Sequence, residues 1–335
     1  MVEICVVGAG IVGLSTATLL QESLPHAKVT IIAEKFTTET TSDGAAGIFR
    51  PGIAFRGPNL EITKQWLNDA YVYFNDILKS TESDQAGIKD ISGYIISSKY
   101  PTSVRNEFLE AILPDYRPCT EEELQMCPGN WQYGSHFTTL VVDCRRHLPW
   151  LTKKFESQGG VIIEQKVNSF EELSNYDLVC NCSGFGAREL CGDTLVTPIR
   201  GQVFKVSAPW IKEFFYADYD TYIIPGFESV TLGGCRGFDS WNEELCKHDA
   251  AAIWERCVSL LPSLKDAKVI REWVGWRPYR PFVRVESEVM TFPSGKTIQV
   301  VHNYGHGGYG VMSAPGTSIH AVKIAKEILT PNAKL

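Results

Sequence analysis

The sequence has little that points to nucleic acid, a metal ion or a membrane. Lys and Arg (32) are outnumbered by Asp and Glu (39), for a formal charge of -7. No basic excess is available to follow a polyanion, and nucleic-acid partners are not expected. Ten cysteines are spread over 335 residues, none spaced as C-x-x-C. That argues against a zinc ribbon, a dithiol redox motif and a disulfide scaffold, so all ten read as reduced thiols, mostly buried. No metal site is expected. Unbroken apolar runs are also missing. The most apolar stretch, Ile4 to Leu20, is interrupted by Gly8, Gly10, Gly13, Ser15, Thr16 and Thr18 and has no basic flank before it. It reads as strand, tight turn and helix, not as a signal peptide or membrane span, and no membrane partner is expected. What is present, 44% hydrophobic and 21% charged residues with 28 Gly and 17 Pro, is the composition of a globular protein of about two domains at ~150 residues each.

Hydrophobic periodicity lays out the chain. Ile4 to Val7 reads as a strand, Gly8 to Gly13 as turn, Leu14 to Gln21 as helix, and Val29 to Ile32 as a second strand ending at Glu34, which is a βαβ unit. Phe36 to Gly57 reads as loop and Leu60 to Lys79 as helix, with Ile62, Trp66, Leu67, Ala70, Tyr73 and Phe74 at helical spacing. Tyr94 to Ser98, Val161 to Glu164 and Leu178 to Asn181 read as strands, and Leu148 to Gln158 as helix. Strands then run from Gly201 to Arg236 with turns at Ala208-Pro209 and Pro225-Gly226, followed by a helix over Ala250 to Leu261. A last strand, Ile298 to His302, meets a Gly-rich loop and a final helix, about Thr317 to Leu329. Helix and strand alternate at both ends with β-rich sequence between. The expected fold is therefore α/β: a Rossmann-like domain whose parallel sheet is assembled from distant segments, with a mixed β-sheet substrate domain inserted. Residues 1–50, 138–195 and 285–335 would form the first domain, and residues 51–137 and 196–284 the second.

Gly8-Ala9-Gly10-Ile11-Val12-Gly13 is G-x-G-x-x-G between a strand and a helix, with the acid Glu34 at the end of the next strand. In this context the first Gly makes the turn, the second lets the backbone approach a pyrophosphate, and the third permits close helix packing. The helix N-terminus supplies free N–H groups, and Glu34 would accept from the adenosine ribose. The fingerprint by itself does not separate NAD from FAD. Three further stretches could surround a larger cofactor: Thr40 to Gly47, Asn181 to Gly184, and His302 to Gly310. The Gly-rich last one could offer a nest of N–H donors to the N1/O2 edge of a flavin, which becomes anionic on reduction.

These residues carry a resemblance. The chain resembles the FAD-dependent D-amino-acid oxidase family along nearly its whole length, most of all its D-aspartate-oxidising branch. The matching stretches are Gly8 to Thr18, Thr40 to Gly47, Phe137 to Leu140, Leu148 to Leu151, Asn181 to Gly184, Arg200 to Val203, Tyr222 to Gly226, Thr231 to Gly234, Arg277 to Pro281 and His302 to Gly310. The resemblance implies noncovalent FAD held by the fingerprint residues together with Lys35, Thr41, Ser42, Gly47, Ile48, Val167, Ser183, Gly184, Gly307, Gly308, Tyr309 and Gly310. It implies a D-amino acid and O2 as the reacting partners: the Cα–H leaves as hydride to flavin N5, and 2-oxo acid, ammonia and hydrogen peroxide result.

Because hydride leaves directly, the resemblance requires no nucleophile or strong base, and the site residues are positioning groups. Arg277 matches the position that pairs with the substrate α-carboxylate, for which a guanidinium offers two parallel donors. Tyr222 matches a tyrosine on the same carboxylate, and Gly308 a backbone carbonyl that accepts from the amine. Arg280, His302 and His306 are expected to be structural. Arg236 stands where the acidic-substrate branch carries Arg, and Arg50 adds a second cation at a pocket position. The branch's further lid arginine, near Tyr216, is replaced here by Tyr216 with two acids, Asp218 and Asp220, which are expected to face solvent. A preference for neutral D-amino acids, a nicotinamide-dependent dehydrogenase and a non-enzymatic flavoprotein remain as alternative readings. Finally, Ala333-Lys334-Leu335 fits the S-K-L type of peroxisomal tripeptide, implying an import receptor as partner and the peroxisomal matrix as location.

Overall fold

A computed structural model describes residues 1–330; Ala333-Lys334-Leu335 lies outside the described residues. The N-terminal strand β1 (Glu3–Ala9) has β2 (Lys28–Phe36) on one side and β7 (Leu178–Asn181) on the other, all parallel. The parallel part is completed by β6 (Val161–Glu164) beside β2 and β14 (Thr297–His306) beside β7. Segments from the start, middle and end of the chain therefore meet in one sheet. β7 is buried at every position and β1 at most of its positions, which is why they appear in sequence as continuous apolar runs without alternation.

The mixed part runs in the order β4 (Arg117–Pro118), β5 (Tyr133–Val142), β3 (Ile88–Ser97), β9 (Phe214–Ala217), β10 (Thr221–Pro225), β11 (Val230–Gly233) and β8 (Thr197–Ser207), with β12 (Gly237–Phe238) on β8. A 24-residue strand, β13 (Lys268–Thr291), links the two parts. Its first half pairs with β8 and its second half with β14, with a shift of register between Tyr279 and Arg284. The proposed domain boundaries at 137/138 and 284/285 fall inside β5 and β13.

Eight helices are described: α1 (Ile11–Ser23), α2 (Leu60–Leu78), α3 (Glu107–Ile112), α4 (Glu121–Leu124), α5 (Cys144–Ser157), α6 (Gly186–Leu190), α7 (Lys247–Leu260) and α8 (Gly310–Leu329). α1 and α2 both pack on α8. Contact with α2 is close enough that a Cβ at Gly316 of α8 would overlap the Trp66 carbonyl. α7 buries Ile253 and Cys257 against Phe204, Ile223 and Leu232 in a separate core of the mixed part.

Two expectations need correction. The final helix starts at Gly310, seven residues before Thr317, and the preceding Gly-rich stretch is strand as far as His306, followed by one 3-10 turn, Gly307–Tyr309. β2 likewise continues past Glu34 to Phe36. In the first case Pro315 and the small residues look like loop in isolation, but the close approach to α2 selects for smallness. Pro315 lies inside the helix, in its second turn, where the residue type by itself argues for a break. The ten cysteines are free, and six of them are buried.

Candidate active site

A cavity of about 970 Å³ lies between the two parts of the sheet, lined by residues from both. Gly8, Ala9, Gly10, Ile11 and Val12 contribute to its wall, and so do Glu34 and Lys35 of β2, and Val167. The three fingerprint glycines do different work. A Cβ on Gly13 would overlap the Gly8 carbonyl oxygen, and one on Gly8, whose φ is +107°, would lie 2.5 Å from the Cys182 carbonyl oxygen. Both are packing positions, and Gly13 does not reach the cavity wall. Gly10 differs: a Cβ there would meet nothing closer than Ser42 Oγ at 3.4 Å, so its missing side chain leaves space open over the N-terminus of α1. Ser42 Oγ accepts from Ile11 N–H at 3.2 Å, bringing a hydroxyl to that helix end. Free N–H groups, a hydroxyl and open volume together suit a pyrophosphate.

The rest of the wall fits a flavin. Thr41, Gly47, Ile48, Ser183 and Gly184 line it, and Gly307, Gly308, Tyr309 and Gly310 bring a second helix N-terminus, that of α8, to the same space. Ser183 is fixed by Asn181 Oδ1, which accepts from both its N–H and its hydroxyl. Asn181 Nδ2 in turn donates to His302 Nδ1 at 3.2 Å. No group of His, Cys, Asp and Glu among the described residues is arranged to hold a metal.

Arg277 and Tyr222, far apart in sequence, meet here. Arg277 Nη1 donates to the carbonyls of Arg200 (3.3 Å) and Cys235 (3.2 Å), and its guanidinium lies near the Tyr222 hydroxyl. Burial pushes the Tyr222 phenol up, opposed by Arg277, so it stays a neutral donor at physiological pH. Gly308 is exposed to the cavity, beside the Arg277 stem. A Cβ on Gly201 of β8 would lie 2.5 Å from Arg277 Cζ and 2.6 Å from Nη1: the guanidinium lies flat over a glycine.

The two candidate cations, Arg50 and Arg236, are in different circumstances. Arg50 lies over the Tyr216 ring, 4.1 Å from Cζ to the centroid, and its Nε is buried without a hydrogen-bond partner among the described residues. Arg236 is half exposed and paired with Asp220, Nη2 to Oδ1 2.7 Å. Tyr216 and Tyr222 are directly opposite each other on β9 and β10, so both rings occupy one face of the hairpin.

The lid segment is the tight turn of that hairpin. Tyr219 and Asp220 both have positive φ (62° and 58°), as a type I′ turn demands. Its acids do not both turn to bulk solvent, as expected from the sequence. Asp218 accepts from Ser97 Oγ (2.7 Å), Ser98 N (2.9 Å) and Ser98 Oγ (2.6 Å); burial alone would raise its pKa, but these bonds hold the carboxyl below its ordinary range. Asp220 is at the cavity wall on Arg236.

The two histidines are structural. His306 Nε2 is 3.0 Å from Thr317 Oγ1, and burial brings its pKa down to about 3. His302 pairs with Glu288 at 3.1 Å. Burial, aided by Arg284, lowers His302 to about 4 against the pull of Glu288. Arg280 is tied to Asp193 at 2.9 Å.

Two supporting residues are not singled out for a role by the sequence. Gln202, fully buried, accepts from Arg200 and from Cys246 N–H, bracing the carbonyl that holds Arg277. Lys205 is buried and donates to the Ala45 carbonyl (3.2 Å) and Thr231 (2.8 Å), fixing the segment before Gly47. Burial, with Arg271 nearby, lowers its pKa to about 8. A lysine and a glutamine in a strand of alternating sequence look like exposed positions until both faces of β8 are covered.

Comparison with known proteins agrees with this geometry. A sequence model described as FAD dependent oxidoreductase matches residues 3–323. D-aspartate oxidase of Homo sapiens is 40% identical over 327 residues, covering 97% of this chain and 95% of that protein. D-amino acid oxidase of Dugesia ryukyuensis is 33% identical over 333 residues, covering 98% of each. Among solved structures, glycine oxidase from Bacillus cereus superposes with a TM-score of 0.77 at 16% identity, covering 99% of this chain and 96% of that one.

Proposed function

Because the chain belongs to the D-amino-acid oxidase family of FAD-dependent oxidoreductases, we propose that its substrates are the acidic D-amino acids, D-aspartate and D-glutamate. The observation that carries this reading is that Arg277, Arg236 and Arg50 are among the four arginines in the wall of one cavity; the fourth, Arg188, donates to the carbonyls of Thr194 and Val196. Arg277 receives the α-carboxylate common to all substrates, with the Tyr222 hydroxyl as a further donor. The guanidinium is already fixed by the carbonyls of Arg200 and Cys235, so little reorganisation accompanies binding. The Gly308 carbonyl accepts from the substrate amine and orients the Cα–H. A second carboxylate, taken out of water, must find a cation, and Arg236 and Arg50 are the groups available.

When bound, FAD would supply the hydride acceptor and pass the two electrons on to O2 as hydrogen peroxide. The imino acid left behind is hydrolysed by water to 2-oxo acid and ammonia. Neither His302 nor His306 is assigned a proton to move, since both are buried and held neutral.

A second reading, preference for neutral D-amino acids, is favoured by one observation: Arg236 already has a carboxylate partner in Asp220. Anaerobic reduction of the bound flavin separates the two. Under the acidic reading D-aspartate bleaches the flavin at far lower concentration than D-alanine does; the reverse order would refute it. The tripeptide Ala333-Lys334-Leu335 supports the further proposal that, as a free C-terminus, it is read by the peroxisomal import receptor, which would place a peroxide-forming enzyme in the matrix.

A further inference from the structure

Among the described residues, the Asp220–Arg236 pair is the one ionic contact in which a candidate specificity cation is engaged by the chain itself. The turn that carries Asp220 is held at every residue. Asp218 is tied to Ser97 and Ser98, the Tyr219 hydroxyl accepts from Lys99 Nζ at 2.6 Å, and the Asp220 carbonyl accepts from Gly234 N–H at 2.7 Å. The backbone of Asp220 is thereby fastened to the segment just before Arg236, and only its side chain is free to change partner. Arg50, by contrast, is stacked on Tyr216 and has no carboxylate partner among the described residues.

We propose that Asp220 is a specificity-determining residue: its carboxylate occupies Arg236 when no acidic substrate is bound, and the side-chain carboxylate of an acidic D-amino acid must displace it. The effect is a built-in competitor. A neutral substrate leaves the pair intact and meets no penalty, whereas an acidic one meets an Arg236 that is already neutralised. Asp220 thus sets the ratio of acidic to neutral affinity, and Arg50 gives the second carboxylate a cation that needs no displacement. This inference rests on the reading that Arg236 faces an acidic side chain.

The pair is about half exposed, and contacts of that kind are worth roughly a factor of two to five in an equilibrium constant. Asp220→Asn removes the charge and suits the turn, because Asn tolerates the left-handed conformation. In the holoenzyme, D220N is expected to lower KM for D-aspartate by about two- to fivefold. KM for D-alanine should move less than twofold. Titrated through the flavin spectrum, succinate should bind tighter by the same factor and butyrate should not. In an R236A background the D220N change should vanish.

Three results would overturn the proposal: succinate affinity unchanged in D220N, succinate and butyrate tightened alike, or a gain that survives R236A. Failure of the acidic-substrate reading looks different. The wild-type enzyme would then prefer D-alanine, while the Arg236-dependent tightening of succinate in D220N would still be observed.

Discussion

Gly201→Ala tests whether the placement of Arg277, as distinct from its charge, governs turnover. Gly201 is on β8 opposite Gly275 of β13, its φ is not in the left-handed region, and alanine fits the strand backbone. The added methyl would sit 2.5 Å from Arg277 Cζ and 2.6 Å from Nη1. Ordinary carbon contacts begin near ~3.5 Å, so the guanidinium must lift by about 1 Å. Since the obstacle is the end of a flexible side chain, the fold gives little resistance. The bonds to the carbonyls of Arg200 and Cys235, at 3.3 and 3.2 Å, would be broken or bent. A displacement of about 1 Å in a positioning group costs on the order of 10²-fold in rate, or ~2.7 kcal/mol of transition-state stabilisation. Oxygen uptake with D-aspartate and with D-alanine, alongside flavin content and thermal unfolding, provides the measurement. The expected result is a loss of about 10²-fold in kcat/KM for both substrates, with flavin retained and the melting temperature within a few degrees of wild type. Turnover within threefold of wild type, with flavin in place, would refute the argument.

Gly10→Val should fill the open space at the N-terminus of α1 and abolish flavin binding, read as loss of the absorbance of the purified protein; full occupancy would show the cradle to be elsewhere. Arg277→Ala should impair acidic and neutral substrates alike, whereas Arg236→Ala and Arg50→Ala should weaken D-aspartate selectively, toward the range of about 2–5 kcal/mol for a desolvated charge pair. The free Nε of Arg50 and the Asp220 partner of Arg236 imply that the Arg50 loss is at least as large; unchanged preference in both variants would count against the assignment. Stability should fall on acidification. His147 and His302 titrate near 4 and His306 near 3 in the folded chain, against about 6.5 unfolded. The unfolded state therefore takes up protons first as pH drops below about 6.5, costing about 1.4 kcal/mol per histidine at about pH 5.5. A melting temperature equal at about pH 7.5 and 5.5 would contradict this. A chain tagged at its N-terminus should enter peroxisomes in cells with working import, and removal of the last three residues should leave it in the cytosol.

Much of the dinucleotide half was legible because its signals are local. G-x-G-x-x-G needs only the strand before it and the helix after it, and the apolar runs of β1 and β7 report burial on both faces. The long strand β13 was not legible. Arg277-Pro278-Tyr279-Arg280-Pro281 looks like a break, yet Pro278 lies opposite Pro198 and the register shifts after Tyr279, so the prolines sit where ladder bonds are dispensable.

The sequence by itself marked where a pyrophosphate cradle would form, since residue type and short spacing suffice for that, and its resemblance to a known family marked Arg277, Tyr222, Arg236 and Arg50 as candidates. Only the tertiary structure decided how the candidates divide their roles. Arg277 lies over Gly201 because β13 pairs with β8 in one register; Arg50 meets Tyr216 because the loop after β2 and the hairpin β9–β10 reach the same cavity; Asp220 meets Arg236 because the three-residue connection between β9 and β10 points back at the chain following β11. Each of these contacts joins segments that no local rule relates. Strand order and register bring them together, and those are set by burial over the whole sheet.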